Sequence, residues 1–501
     1  MIKRTKIVAT LGPASSDAET VHALIEEGVD VFRINFSHTG HDTAERAARL
    51  VRKASADLDK PVALMADIKG PAVRLYGYSE PLHLEGGGEL AIESRDLGIT
   101  ALETLASPDP SLVYTNLPGI DRLCSPGQKV ILMDGYFTGR VVGTSTDMVR
   151  VKIDNSGRLR PKAHLTLPGV DYPIPFLSDK DIADMHWAVA HEIDYLALSF
   201  VRSAADIEEA RRIVQRASAL APASTAGAIS SSASGRKAFV RLIAKIESAQ
   251  GLANVDEIIG AADGIMVARG DMGVEMPLET VPIAQKTIIR KGYLSAKPVI
   301  TATQMLESMI ENPMPTRAEA SDVANACFDS TSAVMLSGET AIGKHPAQVV
   351  RTMRSIIGAV EENFPYEEFH RNIPSDVKSG DIPAIMSYSA VSAAYLCGAK
   401  ALIVLTETGQ AARLLSRLRP RMPILAFMSD ARLRSQLALN WGVVPLLHSG
   451  RGTRLDQVVD EVIGICKERG LLAAGDRAVI VAGLPLSQQG TTNMIRVETV
   501  A

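Results

Sequence analysis

The sequence predicts an α/β protein built on a (β/α)8 TIM barrel, with an inserted β-barrel lid domain and a C-terminal open α/β domain. Three observations predict this fold. Short runs rich in valine, isoleucine and leucine alternate with longer amphipathic stretches over most of the first 345 residues, as buried parallel strands alternate with covering helices. There are eight such units. Most of the runs end in polar or charged residues, where a barrel of this kind carries its functional groups.

The strands and helices of the barrel are predicted in two parts of the chain. The strand-like runs lie at residues 6–11, 29–34, 61–66, 195–200, 242–246, 264–268, 298–301 and 333–336. Helical patterns lie between them, for example at residues 17–27, 41–56, 179–191 and 204–215. We therefore expect the catalytic barrel to occupy residues 1–70 and 170–345.

The segment at residues 71–169 interrupts the barrel and has a different pattern. It contains alternating apolar and polar runs and a turn at Asp134-Gly135, but little helical periodicity. This pattern predicts a small β domain inserted after the third strand. Because the insertion lies on the catalytic face, we expect it to act as a mobile lid.

Residues 346–501 form a third predicted domain. A helical stretch at residues 346–362 precedes strand-like runs at residues 401–405, 423–427, 442–446 and 478–482. These runs predict an open, mostly parallel sheet with helices on both faces, which we interpret as a regulatory domain. The Ala/Ser-rich segment at residues 218–235 is interpreted as a surface loop without an assigned function.

Composition excludes several classes of protein. The chain has 53 basic and 57 acidic side chains and a net charge of −4, so it has no global basic field for nucleic acid or an anionic membrane. No apolar run approaches the length of a membrane span. The four cysteines are far apart and have neither disulfide-framework nor zinc-site spacing. We therefore expect a cytoplasmic location and small-molecule partners.

One group of residues predicts phosphoryl-transfer chemistry. Lys245 and Glu247 end a predicted strand and face the same way. Taken alone they are better explained by a plain ion pair, but Asp271 ends the next strand and would lie beside Glu247 in a barrel. Two carboxylates with few other ligands suit Mg²⁺, which completes its shell with water and substrate oxygens. A neighbouring lysine is typical of a phosphoryl-transfer site.

A second group follows the second strand. Arg33, Asn35 and Ser37 face the same way by the same period-two rule. Arg33 is suited to grip a phosphate, and the oxygens of Asn35 and Ser37, with Asp67 on the next strand, are suited to a second hard cation. Helix capping and turn formation explain these residue types equally well. The residues alone leave both explanations open.

Eight segments of the first 340 residues follow the motif order of one known family: residues 5–15, 33–38, 67–71, 244–247, 263–271, 302–309, 315–319 and 335–340. The C-terminal domain agrees with the same family at residues 408–409, 419–420, 441–443 and 492–493. On these segments the sequence resembles the pyruvate kinase family over essentially its whole length. The resemblance implies transfer of phosphate from phosphoenolpyruvate to ADP, giving pyruvate and ATP as the last step of glycolysis.

The resemblance also implies roles for the residues that match. Glu247 and Asp271 would bind Mg²⁺ or Mn²⁺, while Lys245 and Arg33 would contact the transferring phosphoryl group. The resemblance implies that the substrate carboxylate is bound by Gly270, Asp271 and Thr303, and that a proton relay is formed by Thr303, Ser337 and water. It implies a K⁺ site formed by Asn35, Ser37, Asp67 and the carbonyl of Ile68. It also implies a nucleotide site formed by Asn35, His38 and Arg74. The family further implies an allosteric homotetramer.

Departures from the family pattern raise specific questions. Ala72 stands where K⁺-dependent members carry Glu and K⁺-independent members carry Lys; we expect K⁺ dependence because the other three side chains of that set are intact. The family's Asp-Asp-Gly motif is replaced here by Met133-Asp134-Gly135. Its Lys-Gly-Val-Asn-Leu-Pro-Gly motif corresponds to residues 163–169, where His164 stands in place of the motif's first glycine. Glu407 stands where members activated by a sugar bisphosphate often have Lys, so we expect weak or no fructose bisphosphate activation.

Two other functions would use part of the same set of residues. A Mg²⁺-dependent barrel lyase or mutase acting on phosphoenolpyruvate or a keto acid would need similar carboxylates but neither the lid nor the C-terminal domain. A catalytically degraded homologue that binds metabolites and regulates partners would be favoured by loss of Lys245, Glu247, Asp271 or Thr303. All four residues are present.

Overall fold

A computed structural model of the protein describes residues 2–95, 97–220, 240–374, 381–449, 454–485 and 492–501. Most of the Ala/Ser-rich segment predicted as a loop at residues 218–235 therefore lies outside the described residues. The described part of the chain contains no helix that is both long and apolar enough to cross a membrane.

The strands fall into four consecutive groups along the chain. The first barrel segment contains β1 (Lys6–Thr10), β2 (Val31–Asn35) and β3 (Ala63–Asp67). The lid contains β4 (Leu75–Tyr76), β5 (Leu82–Leu84), β6 (Glu89–Ser94), β7 (Leu112–Thr115), β8 (Lys129–Leu132), β9 (Phe137–Ser145), β10 (Met148–Ile153), β11 (Gly157–Leu159) and β12 (Leu165–Thr166). The second barrel segment contains β13 (Tyr195–Leu198), β14 (Arg241–Ile246), β15 (Gly264–Ala268), β16 (Val299–Ala302) and β17 (Ala333–Leu336). The C-terminal domain contains β18 (Ala401–Leu405), β19 (Ile424–Met428), β20 (Val443–Leu447), β21 (Arg477–Ala482) and β22 (Met494–Thr499).

The predicted barrel is confirmed. Its eight strands close in the order β1-β17-β16-β15-β14-β13-β3-β2, and every neighbouring pair is parallel. All eight strands are buried over almost their whole length, because side chains fill the barrel on one face and helices cover the other. All their carboxyl ends therefore meet at one rim.

The helices that cover the barrel lie in the loops between its strands. They are α1 (Ala18–Glu27), α2 (His41–Asp57), α5 (Asp179–Ala190), α6 (Ala204–Leu220), α7 (Ala249–Ala253), α8 (Val255–Ala261), α9 (Arg269–Glu275), α10 (Val281–Leu294), α11 (Arg317–Phe328) and α12 (Gly338–Ala341), while the lid holds α3 (Ile99–Thr104) and α4 (Ile120–Leu123). Local sequence sets several of their ends. The Ser178 hydroxyl accepts from the Asp181 amide and the Asp181 carboxylate from the Ser178 amide, a reciprocal cap that starts α5. Thr316 and Glu319 start α11 in the same way.

The lid is a barrel-like sheet, as the sequence predicts. Seven of its strands lie in the order β12-β8-β9-β10-β6-β7-β4, and β5 pairs with β11 separately. The two ends of the seven-stranded sheet meet through a bridge between Arg74 and His164. At this bridge the Leu75 amide donates to the Ala163 carbonyl at 2.9 Å, and the Leu165 amide donates to the Val73 carbonyl at 3.0 Å.

The C-terminal domain is an open sheet of order β20-β19-β18-β21-β22. Its helices, with those leading to it, are α13 (Pro346–Asn363), α14 (Tyr366–Arg371), α15 (Ile382–Cys397), α16 (Gln410–Ser416), α17 (Ala431–Leu437) and α18 (Leu455–Glu468). The prediction of an open, mostly parallel sheet is confirmed, since three neighbouring pairs are parallel. β22, which none of the predicted strand-like runs covers, pairs antiparallel with β21. β22 is an edge strand whose residues are half-buried or exposed, so it lacks the apolar run that marks the other strands.

Candidate active site at the carboxyl end of the barrel

The ammonium of Lys245 is the centre of the buried polar cluster at the barrel rim. It lies 2.7 Å from the Ser199 hydroxyl, 3.0 Å from Oε1 of Glu247 and 3.3 Å from Oδ1 of Asp67. Burial works to lower the pKa of Lys245, but the carboxylates of Asp67 and Glu247 outweigh it and raise the pKa above the usual range. Lys245 is therefore held as a cation, although its side chain is only 11% exposed.

Arg33 is held in the same cluster by the other oxygen of Asp67. Its Nε lies 2.7 Å from Oδ2 of Asp67, and its Nη1 donates to the Thr10 hydroxyl at 3.2 Å. Burial alone would raise the pKa of Asp67, yet Arg33 and Lys245 lower it. One buried carboxylate thus orients two cations at the rim.

Glu247 and Asp271 provide the two carboxylates predicted for a divalent cation. The Phe200 amide donates to Oε2 of Glu247. Burial raises the pKa of Glu247 to about 8 against the opposing effect of Lys245, and the nearby Asp271 carboxylate adds to the rise. Asp271 lies in the first turn of α9 and lines a cavity of about 340 Å³ between barrel and lid. Among the described residues, no cluster of three or more His, Cys, Asp or Glu side chains suited to a metal occurs.

Thr303 follows β16 in a left-handed backbone conformation. The φ of Thr303 is 69°, and that of Gln304 is 54°. A positive φ is energetically costly for a β-branched residue such as Thr303. The carbonyl of Thr303 accepts a hydrogen bond of 2.6 Å from Arg269, which is itself bound by Asp322 at 2.7 Å. The Thr303 hydroxyl accepts from the Gly270 amide at 2.9 Å. The structure therefore brings Thr303 and Gly270 together, as predicted.

Ser337 follows β17, the barrel strand next to β16, and Thr303 follows β16. The amide of Ser337 donates to Oε2 of Glu339 at 2.7 Å, and Oε1 of Glu339 accepts from the Leu306 amide at 3.1 Å. Glu339 thus ties the loop after β17 to the loop after β16. The Ser337 hydroxyl oxygen is buried and has no hydrogen-bond partner among the described residues.

The side chains predicted for K⁺ lie at neighbouring strand ends. Asn35 and Asp67 are register partners on β2 and β3. Oδ1 of Asn35 accepts from the Ser37 amide at 3.0 Å, and the Ile68 carbonyl accepts from the Ser199 hydroxyl at 2.7 Å. Ser37 itself is exposed. These contacts are local turn bonds and rim bonds, so turn formation accounts for part of the Asn35–Ser37 pattern.

Several cationic groups converge where the lid meets β2. Partial burial lowers the pKa of His38, and the positive charges of Arg74, Arg33 and His164 lower it further. Arg33 and His38 belong to the barrel, whereas Arg74 and His164 belong to the lid. The predicted nucleotide residues His38 and Arg74 therefore lie close enough to interact.

The sequence analysis missed two residues of this region. Ser199 contacts Lys245, Asp67 and the carbonyl of Ile68, but it was included in a predicted strand. Its position at the polar end of that strand was the signal that could have identified it. His164 was noted only as a departure from the family pattern, and no local signal indicates its neighbours.

Comparisons with known proteins agree with this geometry. The family model for the pyruvate kinase barrel domain matches residues 2–350, and that for the pyruvate kinase alpha/beta domain matches residues 385–498. Pyruvate kinases of Staphylococcus epidermidis and Staphylococcus aureus are 37% identical over 503 aligned positions, which cover 100% of this chain and 81% of each relative.

A solved structure agrees as well. The crystal structure of a pyruvate kinase from Cryptosporidium parvum is 32% identical, with a TM-score of 0.89, and the match covers 100% of this chain and 96% of that one. The barrel, the lid, the C-terminal sheet and these matches lead to one conclusion: the chain belongs to the pyruvate kinase family.

Proposed function

We propose that this member of the pyruvate kinase family transfers the phosphoryl group of phosphoenolpyruvate to ADP, giving pyruvate and ATP. The observation that carries the proposal is the buried Lys245 ammonium, held among Asp67, Glu247 and Ser199 beside Arg33. Phosphoryl transfer needs fixed positive charge around the moving group more than it needs covalent help. Lys245 and Arg33 supply that charge from side chains that are already oriented.

The donor chemistry of Glu247 and Asp271 fits a Mg²⁺ or Mn²⁺ ion. Both are carboxylates, the charge of Asp271 helps to raise the pKa of Glu247, and Mg²⁺ is commonly held by one or two carboxylates together with water and substrate oxygens. We therefore propose these two residues as its protein ligands. When bound, the ion neutralises charge on the phosphoryl oxygens and orients them.

The carboxylate of the substrate is proposed to lie against Gly270, Asp271 and Thr303. Supporting this are the start of α9 at Arg269, which presents backbone N–H groups, and the Thr303 hydroxyl beside the Gly270 amide. After transfer, the enolate must be protonated at carbon. We assign that relay to Thr303, Ser337 and water, because the buried Ser337 hydroxyl oxygen has no other partner among the described residues.

K⁺ is proposed to bind Asn35, Ser37, Asp67 and the carbonyl of Ile68. The donors are hard oxygens with a single carboxylate, although Asp67 also neutralises Arg33 and Lys245. The nucleotide is proposed to contact Asn35, His38 and Arg74, and lid closure over it would exclude water and favour transfer over hydrolysis.

The domain boundaries and assembly are also proposals. We divide the chain into a barrel at residues 1–70 and 170–345, a lid at residues 71–169 and a regulatory domain at residues 346–501. The lid boundaries are supported by the end of β3 at Asp67 and the start of α5 at Asp179. We further propose an allosteric homotetramer in the cytoplasm. The four cysteines of the chain are free thiols, which suits a reducing compartment.

A coupled assay for pyruvate tests the function. Wild-type protein with phosphoenolpyruvate, Mg²⁺ and K⁺ should form pyruvate only when ADP is present, and Lys245→Met should reduce the rate by at least about a thousandfold, since a charge that acts in the transition state is lost. Lys152→Met, which changes an exposed lid lysine, is the matched control. Pyruvate formed without ADP would instead support a lyase or phosphatase, and no pyruvate from the wild type would support a regulatory homologue.

A further inference from the structure

His164 lies at the seam that closes the lid sheet. Its backbone is bridged to that of Arg74, with flanking hydrogen bonds on either side of the pair. Residues that face each other across such a bridge project their side chains to the same side of the sheet. The imidazole of His164 and the guanidinium of Arg74 therefore lie on the same side of the lid sheet.

Asp134 orients the imidazole. Its Oδ1 lies 2.7 Å from Nδ1 of His164, and this hydrogen bond is the main reason why the pKa of Asp134 is low. A carboxylate that accepts from Nδ1 keeps a proton on that nitrogen and leaves Nε2 directed away from Asp134. Met133 and Asp134 both adopt left-handed backbone conformations, with φ of 53° and 56°, a strain that is common at functional sites.

The second ring nitrogen of His164 has no hydrogen-bond partner in the described part of the chain. Nε2 of His164 is buried without a hydrogen-bond partner among the described residues, and the same holds for Nε of Arg74. Buried polar nitrogens without partners are rare and costly in folded proteins. Two of them on bridged residues indicate that this part of the lid faces a ligand rich in acceptor oxygens.

The surroundings indicate which ligand. Asp134 and His164 line the same 340 Å³ cavity as Asp271, the proposed metal ligand. Arg74, which is bridged to His164, brings a fixed positive charge beside this cavity. A phosphate chain is the anion that a guanidinium and an imidazole together best accommodate.

We propose that His164 is a further nucleotide-binding residue. With a proton on each ring nitrogen, it donates from Nδ1 to Asp134 and from Nε2 to the terminal phosphate of ADP beside Arg74. The inference rests on the proposed function. It concerns a residue of this chain in particular, because a glycine at this position, as in the family pattern, has no side chain to make the contact. Asp134 acts through His164 and is a positioning residue.

Steady-state kinetics test the contact. His164→Gly should raise KM for ADP about tenfold, the value of one hydrogen bond to a charged group, with KM for phosphoenolpyruvate changing less than about twofold. Asp134→Asn should have a smaller effect in the same direction. His164→Gln preserves much of the side chain's volume and keeps an N–H donor, so its KM for ADP should stay closer to that of the wild type than the KM of His164→Gly does. Equal losses in the two variants would show that the lid is disrupted and would overturn the contact. His83→Gln, an exposed lid histidine on β5, is the control.

Binding measured by calorimetry, with Mg²⁺ present, separates this proposal from the proposed function. ADP affinity should fall about tenfold in His164→Gly, whereas AMP, which lacks the terminal phosphate, should bind with less than about a twofold change. Equal loss for ADP and AMP, or an unchanged ADP affinity, would overturn the role of His164 even if the enzyme is active. A wild type that binds ADP but forms no pyruvate would overturn the proposed function instead.

Discussion

Lys245 and Asp67 lie 3.3 Å apart at the ends of two barrel strands that do not adjoin, β14 and β3. Ser199, which follows the strand between them, contacts both side chains. The second oxygen of Asp67 holds Arg33 at 2.7 Å. A single carboxylate therefore contacts both cations that are proposed to meet the phosphoryl group.

Asp67→Asn tests this arrangement. The amide preserves the size of the side chain but not its charge, so Arg33 and Lys245 repel each other in a buried site. We expect kcat to fall about a hundredfold and the free energy of unfolding to fall by about 3 kcal/mol. Kinetics and urea unfolding measure the two effects, and Asp460→Asn, at an exposed position, is the control. An unchanged kcat would contradict the positioning role.

Thr303 should be sensitive to loss of its hydroxyl but not of its methyl group. Thr303→Ala removes a member of the proposed relay, and we expect kcat to fall about a hundredfold, a usual value for a lost acid–base group. Thr303→Ser keeps the hydroxyl and relieves crowding at a φ of 69°, so kcat should stay within about threefold. If both variants lose activity equally, the methyl group matters and the relay is not supported.

Asp194 should make folding stability depend on pH. Burial raises the pKa of this carboxyl from 3.8 to about 7, so the folded protein keeps a proton that the unfolded chain releases near pH 4. Stability contributed by this group is therefore lost as pH rises from about 4 to about 7. We expect Asp194→Asn to be more stable than wild type by a few kcal/mol at about pH 8.

The pH series also provides the control for Asp194. Near pH 4 both folded and unfolded wild type carry the proton for much of the time, so the advantage of Asp194→Asn should largely vanish. The substituted amide retains an oxygen for the Leu64 amide, which donates to Asp194 at 2.8 Å. Chemical unfolding at several pH values measures the difference. A constant offset between the two proteins would show that Asp194 does not titrate in this range.

K⁺ should increase the activity. The oxygens of Asn35, Ser37 and Asp67 are present, and Ala72 brings neither the acid nor the internal lysine of other family members. We expect the rate to rise when K⁺ replaces a large organic cation at constant ionic strength. Ala72→Lys should reduce that dependence by placing a positive charge in the chain. Full activity of the wild type in K⁺-free buffer would contradict the prediction.

Fructose bisphosphate should have little effect. Glu407, in the loop after β18, is exposed and its Oε2 accepts from the Ser429 hydroxyl at 3.2 Å, so a doubly charged phosphate ester would meet a negative side chain there. Phosphoenolpyruvate saturation curves with and without the effector should coincide within about twofold. A large drop in half-saturation on adding the effector would refute this, and Glu407→Lys shows whether the charge is the reason.

Local patterns were enough to predict the barrel and the residues at its rim. Buried strands need continuous apolar runs, and parallel strands place their carboxyl ends together, so Lys245, Glu247 and Asp271 were predicted from adjacent runs. The edge strand β22 was missed because one face and one edge are open to solvent, which removes the apolar signal.

The sequence by itself determined the fold class, the order of the domains and the kinds of residue at each strand end, because periodicity and motif spacing act over short stretches of chain. Only the tertiary structure decided which of those residues touch. Ser199 joins Asp67 to Lys245, and His164 meets Arg74 and Asp134, because barrel and lid sheets close on themselves and bring distant segments within hydrogen-bond distance. Such contacts form only when a sheet closes on itself in three dimensions, and no local sequence pattern encodes that closure.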